Sequence, residues 1–136
     1  MAGYSGKALV DKLGVKAGAR VALVGAPDGF ESALEPLPQG ATVKRRLTTG
    51  TDVAVMFSTS RAELARKWVQ ATRAVGRDGA VWVAWPKKAS GVATDVTENV
   101  VREVVLPTGW VDVKVCAIDE TWSGLKCVLR LAHRGP

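Results

Sequence analysis

Few side chains in this sequence have the chemistry of a reactive centre, and most of them lie in short segments. Lys87 and Lys88, followed by Ser90 and Gly91, put two cations beside a hydroxyl and an unhindered amide, a set suited to a phosphate or carboxylate. Asp28, Asp119 and Glu120 are candidate acids or bases, with no histidine or metal cluster beside them to favour catalysis over a structural role. Asp119 and Glu120 are also candidate ion-pair partners for the two lysines. Gly25 and Gly29 bracket Ala-Pro-Asp in a tight loop, and Ser58 and Ser60 flank Thr59 ahead of a helix. Trp85 beside Pro86 is placed to line a pocket or to pack in the core, and Trp122 in a polar turn to form a lid or partner contact. Cys116 and Cys127 read as small buried hydrophobes that face each other only if their strands are in that register. His133 falls at a chain end that is expected to fray. One histidine and two cysteines cannot make the usual Cys/His zinc site, so no metal is expected, and no catalytic residue can be assigned.

The elements that must position these residues alternate between strand and helix. Ser5 is placed to cap a short helix ending at Leu13 and Gly14. Arg20 to Gly25, Asp52 to Phe57 and Ala80 to Trp85 are continuous apolar runs, the pattern of parallel strands covered on both faces. Ser60-Arg-Ala-Glu63 reads as a capping box opening a helix to about Val75, with Leu64, Trp68, Ala71 and Val75 on one stripe. Thr94 or Asp95 is expected to cap a second helix that turns Val96, Val100, Val104 and Val105 inward. Val111 to Ile118 and Leu125 to Leu131 form a hairpin around residues 119–124, and Phe30 to Leu34 is at most one short helix.

This order predicts one α/β domain over residues 1–136: a three-layer, Rossmann-like, mostly parallel sheet with a C-terminal antiparallel hairpin. One connection strains the prediction. Only about five residues separate the weak basic strand Ala41 to Leu47 from the next, whereas a parallel crossover normally takes about a dozen. That strand is therefore either short or antiparallel. In an open parallel sheet, ligands bind beyond the carboxyl ends of the strands. Residues 25–29, 58–60, 86–91 and 119–124 should all meet on that edge.

Composition removes several function classes. At 47% hydrophobic and 24% charged over 136 residues, the sequence is too apolar for disorder, and it has no uncharged run of membrane-spanning length. No secretory signal is legible, so a reducing cytoplasm is expected. Nineteen Lys and Arg against thirteen Asp and Glu give a net charge of +6, which favours anionic partners. The basic residues are spread along the chain, with Lys44-Arg45-Arg46 the one dense run, so nucleic acid is not the expected partner. The expected partner is a small anionic ligand or another protein.

Leu13-Gly-Val-Lys-Ala-Gly-Ala-Arg-Val-Ala-Leu-Val-Gly25 resembles the approach to the first strand of class I S-adenosylmethionine-dependent methyltransferases. The resemblance implies a methyltransferase-like fold, truncated by one strand-helix unit. It also marks departures. Leu23 stands where that family has an acidic residue, and Pro27 replaces the middle glycine of the loop. Val43-Lys-Arg-Arg-Leu47 is positive where an acid would hold ribose hydroxyls. No adenosylmethionine, or other cofactor, is therefore expected. Val81-Trp-Val-Ala-Trp-Pro-Lys-Lys-Ala-Ser-Gly91 and Asp119-Glu-Thr-Trp-Ser-Gly-Leu-Lys126 resemble a small bacterial family of unknown function, which implies kinship without an activity. Together these features predict a non-catalytic binding or regulatory module with an anion-binding edge. The alternative is a small methyltransferase-like transferase acting on an anionic or nucleotide substrate.

Overall fold

The computed structural model describes residues 8–133; the Ser5 cap lies outside them. Six strands form one sheet: β1 (Arg20–Val24), β2 (Thr42–Lys44), β3 (Val53–Phe57), β4 (Ala80–Pro86), β5 (Trp110–Ala117) and β6 (Trp122–Leu129), in the order β2-β1-β3-β4-β6-β5. β1 to β4 are mutually parallel, and β6 is antiparallel to both its neighbours, so β5 runs with the parallel set. Every residue of β3 and β4 is buried, which accounts for their unbroken apolar sequences.

Two layers cover this sheet. Ala54 and Met56 face α2 (Arg61–Val75) and α3 (Glu98–Val105), meeting Leu64, Trp68, Ala71, Val101 and Val105. Val53, Val55 and Phe57 face the other way, onto Val10 and Leu13 around α1 (Leu9–Lys12) and onto the 3-10 turn Phe30–Leu34. Trp85 belongs to the first layer and Trp82 to the second, as their spacing along one strand requires. Trp82 donates its indole N–H to the Leu13 carbonyl (3.1 Å), and Trp68 donates to Thr108 Oγ1 (3.1 Å) while meeting Trp110 edge to face.

Strand β2 is short and parallel. Residues 45–52 carry the chain over β1 to the start of β3, with Leu47 and Val24 packed against the α2-side core. Eight extended residues reach ~26 Å. The return along a three-residue strand is ~10 Å, and two strand spacings add ~10 Å sideways. The dozen-residue expectation applies to crossovers that carry a helix, and this one carries none.

Three local expectations are corrected. The cap of α3 is Thr97, whose Oγ1 accepts from Val100 N (3.2 Å); Thr94 and Asp95 are engaged elsewhere, and Val96 is buried ahead of the helix. Within α3, Val101 and Val105 are the buried positions, with Val100 and Val104 half-buried. The capping box of α2 is half formed. Ser60 Oγ accepts from Glu63 N (3.3 Å), but the Glu63 carboxylate pairs with Lys67 (3.1 Å). In the hairpin, Cys127 lies opposite Asp112 and Cys116 opposite Gly124, so the cysteines do not face each other.

Gly124 is needed for want of space. A Cβ there would lie 2.8 Å from Ile118 Cδ1 and 3.1 Å from Trp82 Cε3, and both residues are fully buried. Overpacking of this kind costs ~1–3 kcal/mol. Gly124→Ala is expected to lower the unfolding free energy by that amount, seen as a lower urea midpoint with the slope unchanged; an unaltered midpoint would mean that the hairpin is not seated on Trp82.

Candidate functional site

The segments expected at the carboxyl edge meet there. Lys87 N donates to the Thr121 carbonyl (2.8 Å), and Pro86 pairs with Trp122 across β4 and β6. Phe57, at the end of β3, contacts Phe30 (ring centroids 4.9 Å) on one side and Trp122 (5.0 Å) on the other. An aromatic row therefore joins the glycine loop to the hairpin. Trp122 is half-buried in this row as the first residue of β6, because the hairpin loop closes three residues earlier than its polar sequence suggests.

Most polar groups on the edge are spent on the chain itself. At α2, Arg61 N donates to Asp95 Oδ1 (2.7 Å) while Ser60 Oγ takes Glu63 N. The amides that would receive an anion at this helix start thus hold a carboxylate already. Thr94 Oγ1 donates to the Thr59 carbonyl (2.7 Å), tying the 94–97 segment over the end of β3. Asp119 Oδ1 accepts from both Thr121 N and Trp122 N (2.8 Å each), which closes the hairpin turn. Ser90 Oγ donates to the Lys87 carbonyl (2.7 Å) and accepts from Val92 N (3.2 Å), while Gly91 takes φ +77°. Among the described residues no ion pair joins Lys87 or Lys88 to Asp119 or Glu120.

The glycine loop is filled in the same way. Arg45 donates to the Ala26 carbonyl (2.9 Å), to the Pro27 carbonyl (2.8 Å) and to both oxygens of Glu31 (2.7 and 2.8 Å). Asp28 adds a weaker attraction to the same guanidinium. Above Gly25 (φ +67°), Lys67 Nζ lies 2.9 Å and the Phe57 carbonyl 3.1 Å from where a Cβ would stand, so this loop position admits only glycine. Leu23 is fully buried in the α1-side core.

Ser58 differs from the rest. It is 1% exposed, and its Oγ is the one buried side-chain polar atom among the described residues without a hydrogen bond. Trp85 is buried in the α2-side core. The cysteines are poor nucleophiles: burial pushes the Cys116 thiol up, and pushes Cys127 up to about 12. Among the described residues no three His, Cys, Asp or Glu side chains cluster to hold a metal. The His133 ring covers Gly109 instead of fraying.

Sequence reasoning missed Arg45, Lys67 and Asp95 at this edge. Arg45 meets Glu31 across fourteen residues, Asp95 meets Arg61 across thirty-four, and Lys67, though paired locally with Glu63, reaches over Gly25; no local pattern announces such contacts.

Against solved structures, the same architecture recurs. A SAM-dependent methyltransferase from Aquifex aeolicus matches with TM-score 0.61 at 13% identity, over 88% of this chain and 86% of that one. Aeropyrum pernix fibrillarin, solved with bound S-adenosyl-L-methionine, matches with TM-score 0.60 at 15% identity over 89% and 73%. Magnesium protoporphyrin IX methyltransferase from Synechocystis, with bound SAH, matches with TM-score 0.57 at 11% identity over 90% and 78%. The fold is methyltransferase-like. At these identities the likeness concerns the fold. No family model and no curated protein matches the chain.

The Arg45 hydrogen bonds hold the Glu31 carboxyl at about 2, far below its ordinary 4.5, with its own backbone amide assisting. A depressed carboxyl contributes stability that is complete above its unfolded value and is lost as pH falls through the folded one. NMR titration of the Glu31 carboxyl should therefore give a midpoint of about 2 in the parent and a higher one in Arg45→Gln. A parent midpoint at the ordinary value would show that the clamp is open in solution.

Proposed function

We propose that this chain is a small methyltransferase-like transferase acting on an anionic or nucleotide substrate at the carboxyl edge of its sheet. The observation that carries this reading is the fold, which resembles that of a SAM-dependent methyltransferase and of a fibrillarin solved with bound S-adenosyl-L-methionine. That company favours transfer over the non-catalytic module. Lys87 and Lys88 would meet the substrate's negative charge, because neither is committed to an ion pair among the described residues. Ser58 offers the edge an unengaged hydroxyl. Glu120 lies exposed beside the hairpin turn and makes no ion pair among the described residues.

The residues do not fit adenosylmethionine. Where the backbone would approach a ligand, Pro27 removes an amide donor, and Arg45 occupies the loop carbonyls with positive charge. Leu23, in the place of an acid, is sealed in the core. No transfer step is assigned to that cofactor. The same closed loop is the specific observation that favours the second reading, a binding module without catalysis.

Calorimetry and turnover assays with adenosylmethionine, ATP and acetyl phosphate separate the two. Adenosylmethionine should give no saturable binding at micromolar concentration; if it does bind there, the misfit argument is wrong. Consumption of a bound donor supports transfer, and binding without consumption supports the module.

Lys87→Met with Lys88→Met should leave the melting temperature nearly unchanged and remove stabilisation by the substrate anion. A ligand at one hundred times its dissociation constant adds about 2.7 kcal/mol, so its loss is readily measured. An undiminished anion response in the double variant would remove the lysines from the site.

Ser58→Ala should be neutral or slightly stabilising in the free protein, because it deletes a buried hydroxyl without a partner. A loss beyond ~1 kcal/mol would show that this hydroxyl is satisfied in the free fold.

A further inference from the structure

The α2-side face of β1 and β2 is crossed by residues 45–52, and among the described residues no helix covers it as α2 covers β3 and β4. A groove lies on each side of this crossing. One, of about 540 Å³, is floored by Val24, Leu47 and Ala74 and walled by Arg46, Arg73 and Gln70. The other, of about 330 Å³, is lined by Arg20, Lys44 and Thr48 and shares Arg46 with the first. No carboxylate lines either groove. Arg46, Arg73 and Lys44 have no acidic partner among the described residues, whereas Arg45 is spent on Glu31.

Arg73 alone would be explained by the helix dipole, since it lies in the last turn of α2. Arg46, Lys44 and Arg20 have no such account, and like charges gathered in concave walls repel unless an anion lies between them. Both volumes fall in the range of small-molecule pockets, ~300–1,000 Å³. The apolar floor suits a flat ring, and the arginines suit bidentate contact with phosphate oxygens. No aromatic residue lines either groove, so the stacking surface that single-stranded nucleic acid uses is missing.

We propose that these two grooves, joined at Arg46, bind a phosphate-bearing small molecule with an apolar or aromatic body. The site lies on the face of the sheet toward the C-terminal half of α2, and neither Lys87, Lys88 nor the hairpin lines it.

The test uses the full chain with ATP, coenzyme A and pyrophosphate as probes, by calorimetry at moderate salt and by amide shift mapping. At least one probe should bind saturably below a millimolar and perturb the amides of Leu47, Thr49 and Ala74. Arg46→Gln with Arg73→Gln should weaken it at least tenfold, while Lys87→Met with Lys88→Met leaves it unchanged. Both arginines are exposed, so the double variant should keep its melting temperature. Absence of saturable binding by all three probes would overturn the proposal, as would binding that the arginine variant retains. Shifts confined to residues 86–91 would overturn it in favour of the carboxyl edge. A single-stranded oligonucleotide binding more tightly than any probe through the same arginines would replace it with a nucleic-acid surface. Loss of the carboxyl-edge anion response in the Lys variant leaves this test untouched, so the two readings fail separately.

Discussion

β3 and β4 bury all their residues, and a sheet whose centre is apolar on both sides must be covered on both. The two layers follow from this constraint. The 15-residue α2 and the shorter α3 cover one face. Among the described residues, the opposite face has a four-residue helix and a 3-10 turn, and fills its volume with Leu13, Phe30, Leu34 and the Trp82 indole. Trp82 can lie there because its buried indole N–H finds the Leu13 carbonyl. Its ring in turn denies space to any side chain at position 124, so packing on β4 fixes how the hairpin is seated.

At the carboxyl edge, backbone groups that the strand and helix ends leave open are met by side chains from distant segments. Asp95 from the loop before α3 caps α2; Arg45 from the end of β2 ties the loop after β1; Asp119 closes the turn it belongs to. Each contact satisfies groups that would otherwise need water or a ligand. Most of the polar groups at the edge are thereby paired within the chain. Lys87, Lys88 and Glu120 are the charged groups it leaves uncommitted among the described residues.

How much of this was legible in the sequence depended on the range of the interaction. The three central strands, the α2 stripe and the opposite faces of Trp82 and Trp85 follow from periods of two and 3.6, and the structure has them. The meeting of residues 86–91 with the hairpin followed from strand direction alone. The cap of α3 was misplaced because Thr94, Asp95 and Thr97 are equally good local candidates. The first two are drawn away by Thr59 and Arg61, more than thirty residues back. Arg45 was legible only as charge. Nothing in Lys44-Arg45-Arg46 says that the middle residue turns to the loop and the third to the open face.

That division within three consecutive residues explains how a truncated methyltransferase-like sheet remains intact. Shortening the connection after β2 to residues 45–52 removes the cover from one part of the α2-side face, and the crossing chain replaces it only in part, through Leu47. On a strand, neighbours project to opposite sides. As the chain leaves β2 it keeps that alternation: Arg45 reaches the glycine loop, where carbonyls and Glu31 await it, and Arg46 points into the gap left by the missing cover. One arginine compensates for the altered loop by filling it. The next has no internal acceptor among the described residues, and its charge is carried by solvent or by whatever anion the grooves admit. Arg45 thus closes the loop after β1, while Arg46 leaves a cationic surface on the adjacent face.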